Sequence, residues 1–149
     1  MVGGKETISE LVCEGDQDTQ GERKGTIAFL YYSHLGPVTS NTFLKSCEVI
    51  NNTWAPGKTG SVIGIAVVYD LQAVGTPGTA PTFTVRVSGS SVLSVSTDTT
   101  IANAKKARTT QARGTDTFTS SQDIECVLLN SLGHTYAKMI AIVAVLLDG

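Results

Sequence analysis

The chain has 149 residues, 41% of them hydrophobic and 16% charged, with a formal net charge of −2 at pH 7. One domain with a substantial core fits that length, and so small a net charge excludes the strong positive field on which nucleic-acid binding depends. The longest apolar run, 139–147, has nine residues against roughly 20 for a spanning helix, and no apolar stretch of signal-peptide length opens the chain, so neither a membrane nor that secretion route is expected.

Residues 1–24 carry nine charged side chains, six acidic and three basic, around a thin apolar set of Ile8, Leu11, Val12 and Cys13. Such a segment cannot bury enough surface to order itself alone, so it reads as an arm that orders on binding. Ile8, Leu11 and Val12 fall at i, i+3 and i+4 and share one face of a short helix formed on a partner, which makes them the expected partner-binding residues. From residue 25 onward only 15 of 125 residues are charged. Ser, Thr, Gly and Val dominate there in short alternating runs, and 25–149 reads as a single β domain.

Residues 26–32, rich in β-branched and aromatic side chains, predict the first strand, which Ser33-His34-Leu35-Gly36-Pro37 breaks. The stretch 42–50 suits a helical face through Phe43, Cys47 and Ile50 and a strand face through Phe43, Cys47 and Val49; it is read as a strand. After the turn at Trp54-Ala55-Pro56-Gly57, residues 61–71 are apolar on both faces, the pattern of a central strand. Gly75, Pro77, Gly78 and Pro81 make 75–81 an exposed loop. Phe83, Val85 and Val87 then alternate with Thr82, Thr84 and Arg86, and Leu93 and Val95 with Ser94 and Ser96, a β-hairpin with one wet face. The Ala-rich basic stretch 101–113 is open to helix, strand or loop. Phe118, 124–129 and 136–147 complete seven or eight short strands, with no βαβ rhythm and no internal repeat. The expected fold is all-β, an antiparallel β-sandwich or jelly-roll-like domain with an extended N-terminal arm.

No catalytic, cofactor or metal-binding motif is present. Cys13, Cys47 and Cys126 cannot all pair within one chain and lie in no metal-ligand spacing, which points to reduced thiols, with Cys47 and Cys126 buried and Cys13 accessible. His34 and His134 lie beside small loop residues without a nucleophile motif and read as surface histidines. Meeting at a subunit axis could let them hold a metal, but no carboxylate or cysteine is spaced to help. Lys105, Lys106, Arg108 and Arg113 form the one charge run of the body. Without interleaved aromatics it reads as a solvated face, or second as a docking patch for an acidic partner. The 51–53 triplet Asn-Asn-Thr matches a glycosylation pattern and reads as a loop.

The low charge, the Ser/Thr/Gly/Val-rich strands, the free cysteines, the polar arm and the terminal strand Met139-Ile140-Ala141-Ile142-Val143-Ala144-Val145-Leu146-Leu147 resemble small structural proteins of tailed-bacteriophage virions. Two members of that class are weighed, head decoration (cement) proteins and the β-domains of fibre tips. The resemblance implies no enzyme and no cofactor, a homo-oligomer with a trimer favoured, and binding to the major capsid protein or another virion component after synthesis in the host cytoplasm. A chain opening on its own methionine with an arm suited to a neighbour's surface favours decoration. The alternative, a receptor-binding tip that recognises a host glycan, wants aromatics in loops, where only Trp54, Tyr32 and Tyr136 lie near predicted strand ends. The two apolar faces of 139–147 reinforce the expected oligomer, because a monomeric sandwich needs only its inner face apolar.

Overall fold

A computed structural model of the chain describes residues 25–46 and 57–148. Ile8, Leu11, Val12, Cys13, Cys47, Trp54 and the 51–53 triplet lie outside the described residues. Those described form ten strands and no helix. The larger sheet contains β3 (Lys45–Ser46), β1 (Gly25–His34), β10 (Thr135–Asp148), β4 (Gly60–Ala73) and β7 (Ala102–Thr110) in that order, with β8 (Asp116–Phe118) also paired to β4. The smaller sheet has the order β2 (Thr42–Phe43), β9 (Ile124–Leu129), β5 (Thr82–Val87), β6 (Ser90–Ser96). Every pairing is antiparallel, and the protein is an all-β two-sheet sandwich.

Four of the pairings are nested one inside another. β5 and β6 form the innermost hairpin, β4 pairs with β7 around it, β2 with β9 around that, and β1 with β10 outermost. The hairpin turn is Ser88-Gly89, with both φ values positive (48° and 86°). This is the two-residue geometry that matches the right-handed twist of the strands it joins, and glycine takes the second position at no steric cost.

Period-two alternation fills the space between the sheets. Ala28, Leu30 and Tyr32 of β1, Ile65, Val67 and Tyr69 of β4, and Met139, Ala141, Val143 and Val145 of β10 point inward from the larger sheet, and all are buried. Phe83 and Val85 of β5 and Ile124, Cys126 and Leu128 of β9 meet them from the smaller sheet. Each large aliphatic side chain so buried stabilises the fold by roughly 1.5–3 kcal/mol. Tyr69, Phe83 and Tyr136 stack at one end with ring centroids 5.5–6.4 Å apart. Their polar tips are satisfied: the Tyr136 and Thr97 hydroxyls lie 2.7 Å apart, and the Tyr69 hydroxyl accepts from the Asp98 amide at 3.4 Å. Nearer the middle, the Tyr32 hydroxyl donates to the Ile124 carbonyl at 2.7 Å.

Three stretches differ from the sequence reading. Of the single strand expected over 42–50, the described part, 42–46, is two short strands in different sheets, and 47–50 lie outside the described residues. At buried Leu44, whose amide still donates to the Cys126 carbonyl at 2.9 Å, the chain leaves the smaller sheet and joins β1 in the larger one. Residues 101–113, open to three readings, are strand β7 followed by a bend. Ala104 there has φ 54° in a bulge, and its amide is held by the Asp70 carboxylate at 2.7 Å. The wet face of the hairpin is only partly wet, since Thr84 is buried.

Candidate interaction surface

The outward residues of the larger sheet form a continuous surface set by register. On β1 they are Ile27, Phe29, Tyr31 and Ser33, opposite Leu146, Ala144, Ile142 and Ile140 of β10. On the other side of β10, Ile140, Ile142 and Ala144 face Val68, Ala66 and Gly64 of β4, which in turn face Lys106, Arg108 and Thr110 of β7. Ile27 is 51% exposed, Phe29 46%, Ile140 47% and Val68 37%. Aliphatic groups so exposed and so contiguous cost hydration free energy that a second surface would recover. The β10 alternation is therefore resolved. Val143 and its inward partners are core, and Ile142 belongs to the open face.

Two shallow hollows lie on this face. One is bounded by Ala66, Val68, Lys106 and Arg108, and the next by Phe29, Ala66, Arg108, Ile142 and Ala144. The absence of a side chain at Gly64 keeps the second open.

The basic run divides in two around this surface. Lys105 turns to the Asp98 carboxylate, which it holds below the usual carboxylate range, and to the Thr100 carbonyl. Arg113 pairs with Asp148 at 3.1 Å. Lys106 and Arg108 stand outward on β7 and have no ion-pair partner among the described residues, so they form a cationic rim along one side of the apolar face. The cluster visible in the sequence is thus two structural ion pairs and a two-residue rim.

The outer face of the smaller sheet has another character. The Thr84 hydroxyl lies 3.2 Å from that of Thr82 along β5 and 3.1 Å from that of Ser94 across to β6, and Arg86 lies 5.8 Å from the ring centroid of Phe43 while donating to the Gly89 carbonyl at 2.6 Å. Val127 is buried beneath these groups. Glu125 faces Arg86 in the register, and partial burial raises its carboxyl above the usual range.

The histidines depart from the surface-loop expectation. His134 is fully buried at the foot of β10: its Nδ1 accepts from the Gly75 amide at 2.9 Å, which places its proton on Nε2. Asn130 clamps the same residue, donating to the His134 carbonyl at 2.6 Å and accepting its amide at 3.2 Å. The Thr76 amide donates to the Leu132 carbonyl at 2.8 Å, so the 75–81 loop is latched onto the 130–134 loop. Gly75 is required there because a Cβ would collide with the carbonyls of Leu132 and Gly133. Sequence reasoning missed this latch because Gly75 and His134 lie far apart in the chain; an Asn four residues before a histidine between Gly and Thr was its only local trace. His34 ends β1 half-buried. Among the described residues no three His, Cys, Asp or Glu side chains gather as metal ligands would. Cys126 is buried, and desolvation pushes its thiol far up, which makes it inert as a nucleophile. Tyr32 and Tyr136, expected near strand ends where a glycan would stack, are both core residues.

The chain matches no known family model and no curated protein sequence.

Proposed function

We propose that the protein is a non-enzymatic virion structural component, a decoration (cement) subunit that attaches to a viral head as a homo-oligomer, most simply a trimer. The observation that carries this reading is the nested strand pairing. A long hairpin folded over so that β1 pairs with β10, β2 with β9, β4 with β7 and β5 with β6 is the nesting that a jelly-roll reading of this sandwich calls for, and it supports that reading. Viral capsid domains use that architecture, as do lectins and cupins. Of these, the virion reading also accounts for the open apolar face, which a subunit built to associate requires and a freely soluble sugar-binding tip does not. The burial of Tyr32 and Tyr136 weakens the tip reading further.

The test is mass spectrometry and immunogold labelling of purified particles made from the genome that encodes the chain. The protein is expected on the outside of the head in a fixed copy number, and purified full-length chain should rebind particles that lack it to the same saturation. Absence from the particles, or saturable binding to a glycan array with no binding to heads, would overturn the proposal.

A further inference from the structure

We propose that the outer face of the larger sheet is the docking site for residues 1–24 of a neighbouring copy of this chain. The proposal goes beyond the virion reading and does not depend on it.

Three observations single out this occupant. The first is size. Three strand spacings by six residues of rise give a face of about 14 by 20 Å, or about 300 Å², whereas a globular partner buries about 800 Å² per side. A face this small suits one segment of chain. The second is charge. Residues 1–24 hold six acids and three bases, and the rim of the face is Lys106 and Arg108, while Asp70, the next outward residue of β4, is taken up by the Ala104 amide. The apolar set Ile8, Leu11 and Val12 is small enough to fill the two hollows between β1, β10, β4 and β7. The third is direction. β1 keeps its ladder to the pair Gly25 and Asp148 at the end of the sheet, so the backbone at Gly25 points off that end, away from the face. A segment that leaves beyond the sheet end meets another subunit's face without the chain reversal its own face would demand, which favours a neighbouring copy's segment as the occupant, in an exchange of identical arms between subunits.

Disulfide trapping in the full-length chain tests this. Ala66 is exposed in the middle of the face, and Ala66→Cys is paired with the native Cys13 in a Cys47→Ser background under mild oxidation. Covalent dimers and larger species are expected on a non-reducing gel, and adding Lys106→Glu and Arg108→Glu should reduce them by about tenfold. A cross-link confined to the monomer would assign the face to the chain's own arm and overturn the proposal. Dimers that persist after Cys13→Ser would mean that one face meets another, which overturns it equally. Light scattering on Lys106→Glu/Arg108→Glu in the otherwise natural sequence gives an independent reading: a fall in mass with unchanged circular dichroism is expected, and an unchanged mass would overturn it.

Discussion

On the smaller sheet the outward residues Thr82, Thr84, Arg86 and Ser94 bond to one another or to the nearby backbone, and Arg86 covers Phe43. On the larger sheet the equivalent positions are Ile27, Phe29, Ile140, Ile142 and Val68, interrupted only by Tyr31 and Ser33 on β1 and bordered by Lys106 and Arg108 on β7. Both sheets contribute the same kind of inward face to one core, so folding alone does not demand this difference. The smaller sheet is finished mainly with hydroxyls and one arginine, with Phe43 and Leu129 its exposed large apolar side chains. Under the proposed docking, the larger sheet retains aliphatic groups because it meets protein, and the cost of exposing them in a free copy would drive association.

The largest effect separates the two sides of one strand. Val143→Asp places a charge between its buried register partners Leu30 and Ile65 and should cost on the order of 3–5 kcal/mol, giving insoluble protein without a β circular-dichroism signature. Ile142→Asp, one residue earlier on the open face, should remain folded and sediment as a smaller species. A folded Val143→Asp, or an associated Ile142→Asp, would erase the distinction between the faces.

Alkaline titration reaches the core that both sheets share. Burial raises the Cys126 thiol far above its ordinary value and the Tyr136 phenol to about 12. Both groups are neutral when protonated, and raised folded values mean that the native state holds those protons more tightly. Their contribution is complete below the unfolded values of about 8.5 and about 10 and is lost as pH rises through the folded ones. Denaturant midpoints should therefore fall from about pH 9 upward, and Cys126→Ala should remove the earliest part of that fall. A flat midpoint between pH 8 and pH 11, a range of roughly three units around those values, would contradict the burial of both groups.

Gly75→Ala should cost roughly 1–3 kcal/mol by forcing a methyl into the Leu132 and Gly133 carbonyls, read as a lower thermal midpoint with the mass in solution unchanged. A change in mass would place the latched loops in the association surface. The smallest effect is expected from Arg86→Ala, which uncovers Phe43 on the finished sheet and should cost about 0.5–1 kcal/mol without altering association. Loss of association there would show that the smaller sheet takes part after all.

Much of the fold was legible because alternation is a local signal. The strand read over 124–129 coincides with β9, the strand read over 26–32 is extended only to Gly25 and His34, and the double apolar character of 139–147 is the core and the open face seen edge-on. What was not legible depends on distant partners. The sheet change at Leu44 follows from which neighbour each half of 42–46 finds, β9 or β1. The conformation of 102–110 depends on Asp70 bonding the amide of Ala104, and the burial of His134 depends on a glycine beyond β4. For the interaction surface, each outward residue could be assigned to a strand face, but not the order of strands that brings Ile140 beside Val68 and Val68 beside Lys106.

The nesting of the strands also sets the order in which the chain can complete itself. Among the described residues only the β5–β6 pair closes through a short loop, whereas β1 must wait for β10, with Gly25 pairing to Asp148 at the far end of the described chain. During synthesis the apolar residues of the first strand emerge long before the strand that covers their backbone. The final ladder then forms only once residues 139–148 have left the ribosome, at the cost of closing the whole span from Gly25 to Asp148 into one loop. Such a topology folds on the millisecond-to-second scale of non-local β proteins, and its most exposed moment is the interval in which β1 and β4, flanking the empty place of β10, both present open edges to other nascent chains.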